Sequence, residues 1–274
     1  MKLRSYLCSA LLLVAMVLPV SVCGAGENGS GQTLVLVHGA HLTADSWSEV
    51  VKALRASGNE VVAVNLPGRG SSTGFNEVTL GSSARSLCAI VARHGPTLSF
   101  VAHSQGGAVV NHLLGLCPEI IVEKIIYLAA VAPLHGEKPF DMLSKADEEN
   151  YYRGVAYDEA SGLMKIHDAE GFLASFAPQS RSEHSVLGKV ILQAAVDEPA
   201  VIADGVVSLD AVRFREIEKY YIYTQGDQII SLASQQRIAS KFKLVDSRTM
   251  DSGHLPMFTQ PAVLSKIILG FLNR

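Results

Sequence analysis

The sequence has no excess of positive charge. Lysine and arginine together number 23 in the 274-residue chain, against 26 aspartate and glutamate residues, and the formal net charge at pH 7 is −3. No stretch carries the basic stripe that nucleic acids or anionic membrane surfaces require. The composition therefore disfavours a nucleic-acid partner and favours a small-molecule partner.

Cysteine is also rare, with four residues in the chain. Cys8 and Cys23 lie in or beside the N-terminal apolar segment, which leaves Cys88 and Cys117 downstream. Neither has metal-ligand spacing to a histidine, so they predict no metal site. An oxidising compartment would permit a disulfide between them, but both fall in predicted helices whose separation is not written in the sequence. Two separately buried thiols are the expected state, and the disulfide is the alternative.

Long apolar runs are absent after the N-terminus. Lys2 and Arg4 precede an apolar stretch, Leu11 to Val20, that is too short and too early for a membrane span, and small residues follow it. This pattern is typical of a signal peptide, so we predict a leader over residues 1–25 with cleavage after Ala25. Export to a periplasm or to the medium is expected, with no stable membrane span.

A lipid anchor is the alternative to cleavage after Ala25. Acylation would make Cys23 the N-terminus, but Val22 lies where a small residue is expected. Lipoprotein anchoring is therefore the less favoured alternative. Residues 26–274 would form one domain that is large enough for a sizeable core.

Strand and helix patterns alternate in the first half of the chain. Four short, mainly apolar runs predict strands buried on both faces: Thr33 to Val37, Glu60 to Val64, Leu98 to Ala102 and Lys124 to Leu128. Amphipathic helical patterns separate these runs. The alternation predicts an α/β fold with right-handed crossovers and a mostly parallel sheet flanked by helices.

The alternation stops after the fourth strand. Residues from about 133 to about 215 are charged and favour helix, with no clear buried strand, and we interpret them as an inserted helical cap. Its apolar side chains are expected mainly to pack the cap and in part to line a pocket; they are Phe140, Met142, Leu143, Phe172, Leu173 and Phe176. After the cap we predict a strand Tyr220 to Thr224, a helix from about Ser231, a strand Lys243 to Val245 and a final helix Pro261 to Leu272.

Ser104 carries the strongest chemical signal. It follows a predicted buried strand and precedes a predicted helix, which is the position of a serine nucleophile in a tight turn. Gly106 and Gly107 supply the small residues that such a turn needs, while Ala102 stands where glycine is usual. A glycine-rich turn can also cradle phosphate, but the lysine of a phosphate-binding loop is missing here.

A serine hydroxyl needs a base, and the base needs an orienting carboxylate. We predict His254 as the base, because it lies on the loop between the last strand and the final helix. Asp227 follows the strand ending at Thr224 and is the predicted acid. Asp251 is the alternative acid, although its position three residues before His254 favours a capping or solvent-exposed role.

An oxyanion intermediate needs two backbone N–H donors. We predict the N–H of Gln105, which directly follows Ser104, and the N–H of Ala40, in the loop after the first strand. His38 is expected to hold that loop by hydrogen bonds. His41 is a candidate substrate-binding residue, with an exposed loop histidine as the equal alternative. His103 is expected to pack and to bond backbone, away from the reacting atoms.

With these residues in place, the chain resembles the plant methylesterase and hydroxynitrile lyase family of the α/β-hydrolase superfamily, with its bacterial esterase relatives. The likeness rests on Leu36-Val37-His38-Gly39-Ala40 with Trp47 beyond, Asn65-Leu66-Pro67-Gly68-Arg69-Gly70, His103-Ser104-Gln105-Gly106-Gly107, Tyr127-Leu128-Ala129-Ala130 and the loops of Asp227 and His254. It implies an α/β-hydrolase fold in which an ester-cleaving triad lies under a small helical cap, without a metal or an organic cofactor. The lyases carry a threonine and a lysine where this chain has Gly39 and Leu255, so the resemblance favours the esterase branch.

The sequence thus predicts a serine hydrolase of the carboxylesterase type, which cleaves a small ester through an acyl-enzyme on Ser104. A cofactor-free perhydrolase and a carbon-carbon hydrolase are alternatives, because both use the same triad. A ligand-binding protein built on a hydrolase fold is the non-catalytic alternative.

Overall fold

A computed structural model describes residues 33–69, 78–95, 97–180 and 182–274 of the chain. The predicted leader, its cleavage position and the candidate lipid-anchor residue Cys23 lie outside the described residues.

Six parallel strands form the central sheet. They are β1 Thr33–Val37, β2 Glu60–Val64, β3 Thr97–His103, β4 Ile121–Leu128, β8 Glu218–Thr224 and β9 Asp246–Met250. Their order in the sheet is β2-β1-β3-β4-β8-β9. Of the inner strands, β1 is wholly buried and β3 has six of its seven residues buried, which explains their mainly apolar sequences. The parallel sheet and five of the six predicted strands are confirmed.

The last strand lies later in the chain than predicted. We expected it at Lys243 to Val245, whereas β9 pairs with β8 over Asp246–Met250. This edge strand is polar and four of its five residues are at least partly exposed. The short apolar run therefore predicted the wrong residues, because an edge strand is held by backbone hydrogen bonds more than by burial.

Ten α-helices occur in the described residues, and those outside the cap flank the sheet. They are α1 Ser48–Ala56, α2 Leu80–Val91, α3 Gly106–Leu116, α4 Lys145–Tyr151, α5 Ala169–Phe176, α6 Val186–Ala194, α7 Ala211–Glu216, α8 Leu232–Ala239, α9 Pro256–Thr259 and α10 Pro261–Leu272. Helix α2 packs against α3, and α1 packs against α10. None of the helices in the described ranges has the length and hydropathy needed to cross a membrane.

Cys88 and Cys117 form a disulfide, so the expectation of two separate thiols was wrong. Cys88 lies in α2 and Cys117 directly follows α3, with their Cα atoms 6.5 Å apart. The packing of α2 against α3 brings the two sulfurs together. This packing is a tertiary contact. The periodicity of apolar residues along a helix gives no distance to another helix, so the sequence pattern did not predict the bond.

The cap, residues 133–215, contains strands as well as helices. A separate antiparallel sheet, in the order β5-β6-β7, joins β5 Val155–Asp158, β6 Leu163–Ile166 and β7 Glu198–Pro199. The cap is therefore not wholly helical, although its four-residue strands β5 and β6 are only partly buried. Strands of two to four residues are too short to show a period of two.

Candidate active site

Ser104 lies in the turn between β3 and α3, at the carboxyl edge of the sheet. Its φ of 51° is in the left-handed region, which side-chain-bearing residues adopt only under constraint. The flanking glycines permit this packing: a Cβ on Gly106 would lie 2.7 Å from the His38 carbonyl oxygen, and one on Gly107 would lie 2.5 Å from that of Val131. Larger residues would displace the turn.

The structure brings Ser104, His254 and Asp227 into one hydrogen-bonded row. His254 Nε2 lies 2.9 Å from Ser104 Oγ, and His254 Nδ1 lies 2.7 Å from Asp227 Oδ2. His254 and Asp227 are buried. Because a carboxylate only accepts, Nδ1–H donates to Asp227 and leaves Nε2 to accept from the serine hydroxyl. The alternative acid, Asp251, is exposed.

The Asp227 carboxylate is held on both oxygens. Oδ1 accepts the N–H groups of Ile229 and Ile230 at 2.8 and 2.9 Å. Oδ2 accepts the Thr224 hydroxyl at 2.9 Å in addition to His254. These bonds fix the orientation of the Asp227 carboxylate towards the His254 ring.

His38 holds the loop after β1, as predicted. The N–H of Leu66 donates to His38 Nε2 at 3.1 Å, so the ring proton is on Nδ1 and donates to the Gly39 carbonyl at 2.8 Å. Burial, with a smaller contribution from the charge of Arg69, lowers the pKa of His38 to about 3. The ring is therefore neutral, and its role is structural.

Gly39 packs directly against the serine. A Cβ at this position would lie 2.6 Å from Ser104 Cβ and 2.8 Å from His103 Nδ1. The threonine that the lyases carry at this place would not fit this packing.

Ala40 and Gln105 line the cavity beside Ser104. Among the described residues, neither backbone N–H has a hydrogen-bond partner in the protein. Both donors are therefore free to bind an oxygen of a substrate, as the predicted oxyanion hole requires.

His41 is buried, so the exposed alternative was wrong. Its Nδ1–H donates to the Val196 carbonyl at 2.9 Å, which leaves Nε2 to accept from the Tyr151 hydroxyl at 2.8 Å. Burial lowers the pKa of His41 to about 4. The ring packs edge-on against Phe172 and Phe176, behind the cavity wall, and does not line the cavity. Tyr151, which bonds to His41, is the residue of this pair that lines the cavity.

His103 bonds backbone, as predicted. Its Nε2 lies 2.9 Å from the His254 carbonyl oxygen, to which it donates, and its ring centroid lies 4.7 Å from that of His254. Burial holds the pKa of His103 well below its ordinary value. The neutral His103 ring therefore holds the backbone of His254 in place.

A cavity of about 690 Å³ opens above Ser104. Three of the cap side chains considered above line it, namely Phe140, Leu143 and Phe176. The other three, Met142, Phe172 and Leu173, are buried in the core. The described residues that line the cavity include no lysine, arginine or histidine. Two of them are acids, Glu198 and Asp204.

Sequence reasoning missed Glu198. The carboxylate of this cap residue is buried against Arg69. Arg69 belongs to the motif Asn65-Leu66-Pro67-Gly68-Arg69-Gly70, but the sequence around Glu198 carries no distinguishing pattern.

Within the described ranges, no group of three or more histidine, cysteine, aspartate or glutamate residues could hold a metal ion.

Comparison with known proteins finds hydrolase relatives of this chain. The model of the family described as "Alpha/beta hydrolase family" matches residues 34–267. An Arabidopsis thaliana chloroplast protein provisionally named methylesterase 12 is 28% identical over 256 residues, covering 86% of this chain and 70% of that protein. The pyrethroid hydrolase of Sphingobium wenxiniae is 24% identical over 249 residues, covering 88% and 87%.

A solved structure shares the fold. The crystal structure of a pyrethroid hydrolase from Sphingobium faniae JZ-2 matches with a TM-score of 0.75 at 21% identity. The match covers 88% of this chain and 97% of that chain.

Proposed function

Because this chain belongs to the alpha/beta hydrolase family, we propose that it is a serine carboxylesterase that cleaves a small-molecule ester through an acyl-enzyme on Ser104. The observation that carries the proposal is the unbroken hydrogen-bonded row from Asp227 through His254 to Ser104, at the base of a cavity. Relatives named methylesterase and pyrethroid hydrolase support the hydrolysis of ester bonds.

The geometry supports a two-step reaction. Ser104 Oγ attacks the ester carbonyl while His254 Nε2 takes its proton, and Asp227 stabilises the imidazolium that forms. The N–H groups of Ala40 and Gln105 bind the negative oxygen of the intermediate. His254 then protonates the leaving alcohol. Water, activated by the same histidine, releases the acid and restores Ser104.

An uncharged ester is the substrate class that the cavity favours. Its walls are largely apolar, and its described lining offers no cation to pair with a substrate carboxylate. The negative charge of Glu198 is balanced by Arg69. Burying an unpaired carboxylate next to these walls would be unfavourable.

The first prediction concerns this charge preference. We expect the purified chain to hydrolyse 4-nitrophenyl butyrate with a kcat/KM at least about tenfold above that for 4-nitrophenyl hemisuccinate, which has a similar acyl length but adds a carboxylate. Esters with acyl chains from acetate to laurate measure the length that the cavity accepts. The Ser104→Ala variant supplies the background rate.

Absence of Ser104-dependent hydrolysis of any ester would refute the esterase proposal. The same preparations then test the alternatives, through peracid formation from a carboxylic acid and hydrogen peroxide, cleavage of a carbon-carbon bond next to a ketone, and ligand binding without turnover. Equal rates with the two matched esters would refute the charge preference alone.

We also propose that the protein is exported. The leader pattern of residues 1–25 supports this, and so does the disulfide between Cys88 and Cys117, since such bonds persist mainly in oxidising compartments.

Intact mass spectrometry tests export. For the full-length chain expressed in a bacterial host with a secretory pathway, we expect a mass that begins at Gly26, recovered from the periplasm or the medium. A lipid-modified mass beginning at Cys23 would indicate the anchored form instead. An unprocessed chain in the cytoplasm, under conditions in which a control exported protein is processed, would contradict export.

A further inference from the structure

A buried ion pair joins the cap to the region of the predicted oxyanion hole. The side chains of Arg69 and Glu198 are 0% and 2% exposed. The guanidinium donates to both carboxylate oxygens, from Nε to Oε2 at 3.0 Å and from Nη2 to Oε1. A planar guanidinium and a carboxylate that meet in this two-point manner have a fixed relative orientation.

The same pair bonds to the residue after Ala40 and to Gln105, the residue that carries the second predicted donor. Glu198 Oε2 accepts the N–H of His41, the residue after Ala40, at 3.2 Å. Arg69 Nη2 also donates to the side-chain oxygen of Gln105 at 2.9 Å. One ion pair therefore restrains the loop that carries Ala40 and the residue that carries the second donor.

The backbone at His41 requires such a restraint. Its φ of 60° is in the left-handed region, which is unfavourable for a residue with a side chain. Val196, two residues before Glu198, donates its N–H to the His41 carbonyl at 3.0 Å and accepts from the His41 ring at 2.9 Å. Three hydrogen bonds to residues 196–198 of the cap thus hold His41, the residue that follows Ala40.

We propose that Glu198 is a positioning residue for the oxyanion hole, so that strand β7 of the cap completes the active site instead of merely covering it. This inference rests on the proposed esterase function. Glu198 lines the cavity, but both of its oxygens are bound by Arg69 and His41, and it therefore acts through the donors and not on the substrate. Displacement of β7 would release the loop of Ala40 and slow the reaction.

The double variant Arg69→Met with Glu198→Leu tests the proposal. It removes the ion pair without leaving an unpaired buried charge, a change that buried ion pairs often tolerate without loss of stability. We expect kcat for 4-nitrophenyl butyrate to fall about 10- to 100-fold, because an oxyanion donor is misplaced, with KM changed by less than about threefold. A boronic acid, which mimics the tetrahedral intermediate on Ser104, should lose affinity by a similar factor.

Asp147→Asn is the matched control. Asp147 is a second buried cap carboxylate, and it accepts hydrogen bonds from the N–H groups of Ser144 and Ser231 and from the Ser234 hydroxyl. It has no hydrogen bond to the residues of the predicted oxyanion hole. We expect a lower unfolding temperature but a kcat within about threefold of the wild type.

The outcomes separate the two proposals. A wild type that hydrolyses esters, with a double variant that keeps kcat and boronic acid affinity within about twofold, would overturn the positioning role alone. An equal fall of kcat in Asp147→Asn would overturn it as well, because the effect would then be general to the cap. A wild type that hydrolyses no ester would overturn both the function and this inference. If the double variant does not fold, Glu198→Gln gives the same comparison of kcat with KM.

Discussion

Replacing Asp227 by asparagine is expected to lower kcat about 10⁴-fold while the protein stays folded. The asparagine carbonyl can keep the bonds that Oδ1 accepts from Ile229 and Ile230. Its NH₂ group then faces His254 Nδ1 and donates to it, which moves the ring proton to Nε2. A protonated Nε2 cannot accept the proton of Ser104, so the nucleophile is not activated.

Kinetics with 4-nitrophenyl butyrate and thermal unfolding measure this effect. Asp251→Asn is the control, because Asp251 is the other acid near the base in sequence and is exposed. We expect its kcat to stay within about twofold of the wild type. The assignment of the acid would be wrong if Asp251→Asn lost the activity and Asp227→Asn retained it.

Removal of the disulfide is expected to have the largest effect on stability. The bond closes a loop with a sequence separation of 29 residues, for which the loss of unfolded-state entropy corresponds to about 3.5 kcal/mol. Calorimetry of the double variant Cys88→Ser with Cys117→Ser should therefore show an unfolding temperature about 10 °C below that of the wild type. Activity at 25 °C should persist, because helix α3 separates Cys117 from Ser104 by about 16 Å.

A reducing agent provides the control for this measurement. Dithiothreitol should lower the unfolding temperature of the wild type towards that of the double variant and leave the double variant unchanged. If the wild type and the double variant unfold at the same temperature in the absence of a reducing agent, the bond contributes nothing to stability and the prediction is wrong.

The row of Ser104, His254 and Asp227 could be identified from the sequence because each residue has a local signature. Ser104 is enclosed by a buried strand, small residues and a helix, and the other two follow strands whose carboxyl ends share one sheet edge. Parallel strands bring such loops together whatever residues fill the helices between them. Chain order and the positions of the strand ends are enough to place these three residues, without any distance.

Residues that depend on contacts between distant segments could not be assigned in this way. Glu198 meets Arg69 across 129 positions, and His41 meets Tyr151 across 110. Neither contact leaves a pattern in the sequence around either residue. The position of the edge strand β9 was predicted wrongly for a related reason. Its pairing with β8 depends on backbone hydrogen bonds and not on apolar side chains.

The sequence by itself therefore determined the parallel α/β sheet, the nucleophile turn and the order of the candidate catalytic residues, because periodicity and turn chemistry are local properties. Only the tertiary structure decided that Cys88 and Cys117 are joined, that His41 is buried behind the cavity wall, and that a cap strand reaches the predicted oxyanion hole through Glu198. These features depend on the distances at which separate elements pack, and those distances result from the packing of the whole chain.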